Sequence, residues 1–276
     1  MKNKNKGEEP FSKTRFAIIV SMTLVVYGIL IYAFAPGIFK SNVNASVGKW
    51  FVVFLATHLV CAFVEFFFHR YVLHKSFWFL GKLNKQHELH HRLTSISLEP
   101  YRSGGRGKVM VVNRYPIIKD DQNEASYFPW YSLSGFILVA MIIAIPLQIY
   151  LLPSWPILCA SAIAIAWSIV SYEIIHMIEH FSFEDFWQKK VEHPRWGGFW
   201  KSVYSFHLRH HANVRCNEGI GGFFGLPVAD WIFGTYSAPW SSIFKDGEII
   251  HSVDYGAHPS KPRMIIRFLD RLFVKA

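Results

Sequence analysis

Apolar residues in this chain are gathered into long runs rather than spaced in stripes. Residues 1–15 are polar and basic, and residues 16–34 are almost wholly apolar. A run of that length predicts a membrane-spanning helix and exceeds the apolar core of a cleaved leader. Pro36 and Gly37 close it, and a short loop to Lys49 follows. A second run covers 50–69, a third 131–152 and a fourth 155–175. The last two are joined only by Pro153-Ser154-Trp155-Pro156, which leaves room for a tight reversal. Residues 75–129 are mixed, and from Phe181 onward the chain is polar and aromatic without another full run. The pattern predicts an all-α integral membrane protein with four transmembrane helices and a cytoplasmic helical cap. Its expected parts are a basic tail at 1–15, a membrane-embedded domain at 16–240 and a C-terminal cytoplasmic tail at 241–276.

Charge adds an orientation. The net charge is +10, yet 51% of residues are apolar, a pairing that suits a membrane protein with a basic inner face and not a nucleic-acid binder. With the N-terminus inside, only Lys40 and Lys49 of the 29 Lys and Arg fall in the outer loops. The positive-inside rule then places both termini in the cytoplasm, in a multi-pass protein of a bacterial inner membrane or the endoplasmic reticulum. The three cysteines are isolated, which excludes a disulfide framework and a thiolate zinc site.

Candidate chemistry lies at the ends of the runs. Ten of the 14 histidines fall into four boxes: His69 and His74; His87, His90 and His91; His176 and His180; His207, His210 and His211. On a helix, positions i, i+3 and i+4 share a face, so each HxxHH is expected to aim three imidazoles at one point. His69 and His74 stand about 140° apart on an ideal helix, which predicts a helix end or bend there. Neutral imidazole suits Zn, Cu, Fe and Ni, and ten such ligands are enough for two ions. Four spans put all four boxes on the cytoplasmic side.

Carboxylates inside apolar helices are costly and mark function. Glu65 lies four residues before His69 and Glu173 three before His176, so both are expected to orient ligand histidines, with Tyr172 and Asp230 in similar supporting roles. His58, deep in the second run, is expected to bond between helices. Phe223, Phe224, Trp231 and Phe233 belong to an aromatic stretch at 219–240 that suits a greasy substrate channel or the membrane interface. Ser103-Gly104-Gly105-Arg106-Gly107-Lys108 lacks phosphate-loop spacing and reads as a basic loop. His87-Glu88-Leu89-His90-His91 also satisfies the zinc-protease pattern HExxH, but that reading leaves most of the histidines unused.

Taken in order, EFFFHRYVLH (65–74), HELHH (87–91), YEIIHMIEH (172–180) and HLRHH (207–211) resemble the fatty acid hydroxylase and sterol desaturase superfamily. GFFGLPVADWIFGTY (222–236) is similar to that family's C-terminal stretch, and the resemblance covers roughly 50–240. The box pattern is most like that of the fatty-acid 2-hydroxylases. The resemblance implies a di-iron centre, zinc being acceptable to the same ligands, with O2 as co-substrate. It implies hydroxylation of an alkyl C–H bond in a membrane lipid, whether fatty acyl, sphingolipid or sterol-like, with desaturation as the alternative on the same scaffold. Electrons are expected from an external acidic carrier such as a ferredoxin, a rubredoxin or cytochrome b5, because the chain shows no flavin- or nicotinamide-binding fingerprint and its cytoplasmic side is strongly basic; unlike in some 2-hydroxylases, no cytochrome b5 domain precedes the first run. Segments 92–129 and 181–206 are long for the 2-hydroxylase branch and are expected to border the substrate entrance. A membrane metalloprotease, a metal transporter and a haem carrier are the competing classes.

Overall fold

The computed structural model describes residues 13–75, 80–93, 96–103, 106–113, 128–129, 131–181, 183–237, 244–246 and 261–274. Four helices among them are long and apolar enough to cross a membrane: Thr14–Phe34, Val47–Leu73, Ser132–Leu151 and Ile157–Glu179. Each overlaps a predicted run closely.

Helix α1, Lys13–Phe34, stops before Pro36, which then opens a short helix α2, Pro36–Val43, at a position where its missing N–H is harmless. This helix occupies what reads in the sequence as a plain loop. Ser46 begins α3, Val47–Phe68, by accepting the Lys49 amide at 3.4 Å. Helix α4 is Gly81–Leu93, α5 is Ser132–Pro146 and α6 is Ile157–Glu179. Pro146 cannot supply an N–H, and the chain leaves α5 through a wide π turn, Leu147–Leu151. The reversal after it is tied at its base. Gln148 Nε2 donates to the carbonyls of Leu152 and Pro153, while its Oε1 accepts from the Leu158 amide and from Asn42 Nδ2.

Helix α6 is the central post of the bundle. Ala160, Ala162, Ala164 and Ala166 are buried, and small residues let helices approach closely. Its polar grip on α3 is Thr57 Oγ1 to Ser161 Oγ at 3.1 Å and His58 Nδ1 to Ser168 Oγ at 2.8 Å. His58 thus bonds between helices, as its isolation from the boxes predicts. In contrast, the side chains of α1 and α5 point largely outward, with Ile18, Leu138, Ile142 and Ile143 more than half exposed.

Beyond the spans the described residues include further helices and one small sheet. Strands β1, Ile96–Ser103, and β2, Arg106–Asn113, form an antiparallel hairpin, and β3, Phe244–Asp246, pairs on the far side of β2. The expectation of an all-α chain is therefore amended by one small sheet. The valine-rich run at 109–112 carries the β-branched signal, which the longer apolar runs overshadow. The Ser103 to Lys108 stretch belongs to this hairpin, and its residues 104 and 105 lie outside the described residues.

Segment 181–206 is structural packing. A π turn, Phe183–Trp187, and a short helix α7, Gln188–Val191, lay Phe183, Trp187 and Val191 against Tyr204 and Leu208 of α8, Gly197–Ala212. Much of segment 92–129 lies outside the described residues. Helix α9 is Val228–Phe233, and α10, Met264–Val274, is the last element. The predicted C-terminal tail therefore includes a helix docked on the bundle: Ile266 of α10 and Ala229 of α9 are buried against Phe66 of α3.

Candidate metal centres

The ten box histidines converge, but not box by box. One cluster holds His69, His74, His87, His91 and His210; the other holds His90, His176, His180, His207 and His211. We call them centre A and centre B. Each HxxHH is split between them, which corrects the expectation of three imidazoles at one point. The reason is angular. From i to i+4 a helix advances about 40° beyond a full turn, whereas i+3 and i+4 differ by about 100°. Helix α4 therefore gives His87 and His91 to centre A and His90 to centre B. Helix α8 does the converse, giving His207 and His211 to centre B and His210 to centre A.

The first box depends on local winding. A π turn, His69–Leu73, follows α3, and the His74 amide bonds the His69 carbonyl five residues back at 3.3 Å. An i→i+5 turn brings residues five apart onto one side. The two rings then lie 5.0 Å apart, where an ideal α-helix would splay them. Asn84 Nδ2 donates to the Leu73 carbonyl and pins α4 to this turn. In the third box, α6 runs on to Glu179 and keeps His176 and His180 on one face.

Ring nitrogens close on each other tightly. In centre B, Nε2 atoms follow in a closed circuit: His90 to His176 at 3.1 Å, His176 to His180 at 3.2 Å, His180 to His207 at 2.9 Å, His207 to His211 at 2.9 Å and His211 to His90 at 3.2 Å. In centre A, the Nε2 atom of His87 lies 3.0–3.1 Å from those of His69, His74 and His91, and His74 lies 3.0 Å from His210. Two nitrogens about 3 Å apart, each about 2.1 Å from a common ion, subtend roughly a right angle, as adjacent ligands do.

Protonation agrees with this geometry. Burial, reinforced by neighbouring imidazoles, holds His87, His90, His210 and His211 well below the ordinary histidine range and brings His91 down to about 3. The rings are neutral at pH 7, the form that binds metal. His69 Nδ1 donates to the Glu218 carbonyl at 2.7 Å and His210 Nδ1 to the Cys216 carbonyl at 2.8 Å. Those bonds fix the tautomer and turn an Nε2 lone pair inward. Converging buried lone pairs repel one another unless a cation lies among them, so the donor set fits two metal ions.

The expected carboxylate supports act on backbone amides rather than on the histidines. Glu65 touches no histidine; its carboxylate accepts the amides of Gly221 and Gly222 at 2.8 and 2.9 Å. It anchors the segment whose Glu218 carbonyl holds His69. Glycine is required there, because a Cβ on Gly221 would come within 2.9 Å of the Tyr172 backbone nitrogen. Asp230 works on the same segment, accepting the amides of Glu218 and Gly219 and the Thr235 hydroxyl. Glu173 accepts the Phe128 amide at 2.8 Å and does not reach His176. Tyr172 does lie beside His176, with ring centroids 5.4 Å apart, and Phe128 stacks behind it at 5.1 Å.

Four supports went unpredicted. Glu218 Oε2 lies 3.4 Å from His69 Nδ1 and 4.0 Å from His210 Nδ1, while its Oε1 accepts from Arg70. Arg70 in turn grips Asp270 of α10. Glu179 Oε2 lies 3.8 Å from His207 Nδ1. Glu179 and Arg70 were visible as charges within or next to a box; Glu218 and Asp270 carried no such signal.

The four aromatic residues expected around a channel lie in three places. Phe223 and Phe224 flank His58, with centroids at 5.1 and 4.5 Å, and Phe233 packs on Phe63, Phe66 and Phe67. Trp231 is half exposed beside Tyr236. Tyr172, beside His176, is followed by Phe128, Phe68 and Phe136, linked in series by contacts of 5.1–6.1 Å.

Comparison of the chain with protein-family models, with curated proteins and with solved structures finds no match. The site thus defines a class by its own geometry: a helical bundle with four membrane-length helices and two buried five-histidine clusters at one end, able to hold metal.

Proposed function

We propose that this chain is a membrane-embedded di-iron oxygenase that hydroxylates an alkyl C–H bond of a membrane lipid. The observation that carries the reading is the division of ten imidazoles into two clusters of five, set side by side at the ends of apolar spans. Iron bound there would supply O2 reduction and C–H oxidation, with zinc accepted by the same ligands in isolated material. One oxygen atom enters the C–H bond and the other leaves as water, which takes two electrons and two protons from outside the chain.

The protein's own part is holding and excluding. Helices α4 and α8 lock the two centres at a fixed separation, because each contributes ligands to both. Burial keeps the rings neutral and bulk water out. Tyr172, Phe128, Phe68 and Phe136 form an apolar aromatic wall running from His176 toward α5, suited to guide a lipid tail without its leaving the bilayer. A basic cytoplasmic face would steer an acidic electron carrier such as a ferredoxin, a rubredoxin or cytochrome b5. Both termini then lie in the cytoplasm.

Other classes fit less well. A transporter places its ligands near the midplane of the spans, whereas these lie at one end. A haem takes one or two histidines. A HExxH protease needs Glu88 at the metal, yet Glu88 is exposed while His87 is buried. The test is to supply ¹⁸O-labelled O2 to membranes containing the protein and to profile lipid masses. Gain of one labelled oxygen is expected. Loss of two hydrogens selects the desaturase, and label arriving from water removes the oxygenase reading.

A further inference from the structure

Helix α10 has three faces. Ile266, Leu269 and Phe273 turn toward α3 and the π turn after it, where Ile266 is fully buried and the Phe273 ring lies 5.0 Å from that of Tyr71. Met264, Ile265, Phe268 and Leu272 occupy an arc of about 100° and are 78%, 54%, 58% and 56% exposed. Arg267 and Arg271 line the edge of that arc, and Lys261 and Arg263 precede it. Exposed apolar side chains of this extent occur elsewhere on helices long enough to span, such as Leu138 at 69% and Ile142 at 73%. The helix packs on the last turns of α3, one turn from His69, at the level where the apolar span ends. Trp231 and Ile232 of α9, which shares the Phe66 contact, are exposed on the same part of the molecule.

We propose that α10 is a membrane-surface helix. Its apolar arc lies in the acyl boundary of the bilayer that the spans occupy, and its arginines lie against anionic head groups. We further infer that this helix is a positioning element for centre A. Asp270 holds Arg70 through two bonds, Oδ1 to Nε at 2.9 Å and Oδ2 to Nη2 at 2.7 Å, and Oδ1 also accepts the Tyr71 hydroxyl. Arg70 Nη1 then holds Glu218 Oε1 at 2.8 Å and the Arg215 carbonyl at 2.9 Å. Glu218 faces His69 and His210, and its carbonyl fixes His69. One continuous set of bonds thus leads from a lipid-facing helix to two ligands of one centre. This second limb rests on the two-metal reading; the first does not.

The experiment uses the full chain in vesicles of mixed neutral and anionic lipid. An environment-sensitive dye is attached to cysteines introduced at Phe268→Cys, Leu272→Cys and Arg267→Cys, with Cys61 and Cys159 replaced by serine and the fully buried Cys216 kept; the chain without an introduced cysteine is the labelling control. Dye at 268 and 272 should be quenched by brominated acyl chains and shielded from aqueous iodide, and dye at 267 should show less of both effects. Iodide quenching at 268 and 272 without bromolipid quenching overturns the surface assignment. For the second limb, iron release to a chelator is followed in Asp270→Asn and Asp270→Glu. Asp270→Asn should speed the release of one metal equivalent, on the order of 10–100-fold, with the other unchanged and the dye still in lipid; Asp270→Glu should restore part of the loss. Wild-type release of both equivalents overturns the coupling. A chain that never binds metal would sink the proposed function and the coupling while leaving the dye result standing.

Discussion

Centres A and B share α4 and α8 and have the same number of ligands, yet they rest on different foundations. Centre B is held by regular helix: His176 comes from the last turn of α6 and His180 caps it, His207 and His211 come from α8, and Glu179 Oε2 lies 3.8 Å from His207 Nδ1. Among the described residues, Nδ1 of His207 and of His211 has no hydrogen-bond partner. Centre A is held by irregular backbone. A π turn supplies His69 and His74, and carbonyls of a non-helical segment fix His69 and His210. Behind that segment stand Glu65, Asp230 and the Arg70 network. Geometry that comes from helical periodicity needs few supports, while geometry built on a wide turn and a loop needs many. The contrast predicts that distant substitutions will damage A far more readily than B.

Removing a ligand tests the split most directly and has the largest effect. His210→Ala and His207→Ala are neighbours on α8 but belong to different centres. Each should lower metal content from about two per chain to about one, because binding at each centre depends on its own ligands. Activity should fall by at least about 100-fold in both, since second-layer changes alone cost 10–100-fold. Elemental analysis of the reconstituted variants checks this. Complete loss of metal in either variant would show a single shared cluster and abolish the distinction drawn above.

Arg70→Met comes next. It leaves Glu218 buried without its cation and frees Asp270, and breaking a buried pair costs about 3–5 kcal/mol. A lower melting temperature should accompany weaker metal binding at A alone. Thermal denaturation and metal analysis on the same sample check both parts. A variant that melts like the wild type would mean that the Arg70 network carries no weight.

How much of this contrast is written in the sequence follows from distance along the chain. The spans and the ten histidines are legible because apolar runs and i, i+3, i+4 spacing are local. The splitting of each HxxHH also follows from helical angles, but only once two facing helices are known to flank two centres. The winding at His69 is half legible: a spacing of five excludes a regular α-helix without saying which turn replaces it. The supports are not legible, because Arg70 and Asp270 are separated by 200 positions and Glu65 and Gly221 by 156. A carboxylate one turn from a histidine looks like its partner. In the fold, Glu65 and Glu173 instead reach backbone amides of other segments. The β-hairpin was missed because its short valine run sits among far longer apolar runs.

Glu179→Gln sharpens the comparison at smaller scale. At 3.8 Å from His207 its carboxylate lies beyond a good hydrogen bond, so its electrostatic support of centre B is weak. Metal release from one centre should rise by less than about 10-fold, the lower end of second-layer effects. Glu218→Gln, acting on two ligands of A, should exceed it. Chelator-release kinetics for the pair decide the order, and the reverse order would mean that helical support does not spare centre B.

The smallest effect is expected at Glu88. It follows His87, a ligand of centre A, and precedes His90, a ligand of centre B, yet it is exposed and points away from both. A surface substitution of this kind changes stability by no more than about 0.5 kcal/mol. Glu88→Ala should therefore keep two metals, the wild-type melting temperature and full lipid oxidation. The same variant separates the two meanings of HELHH. A hydrolase with the HExxH arrangement depends on this carboxylate as its general base and would lose activity by orders of magnitude. In the di-metal reading the position is a solvated face between two ligands. Loss of turnover with both metals retained would transfer the chemistry from the paired centres to centre A alone.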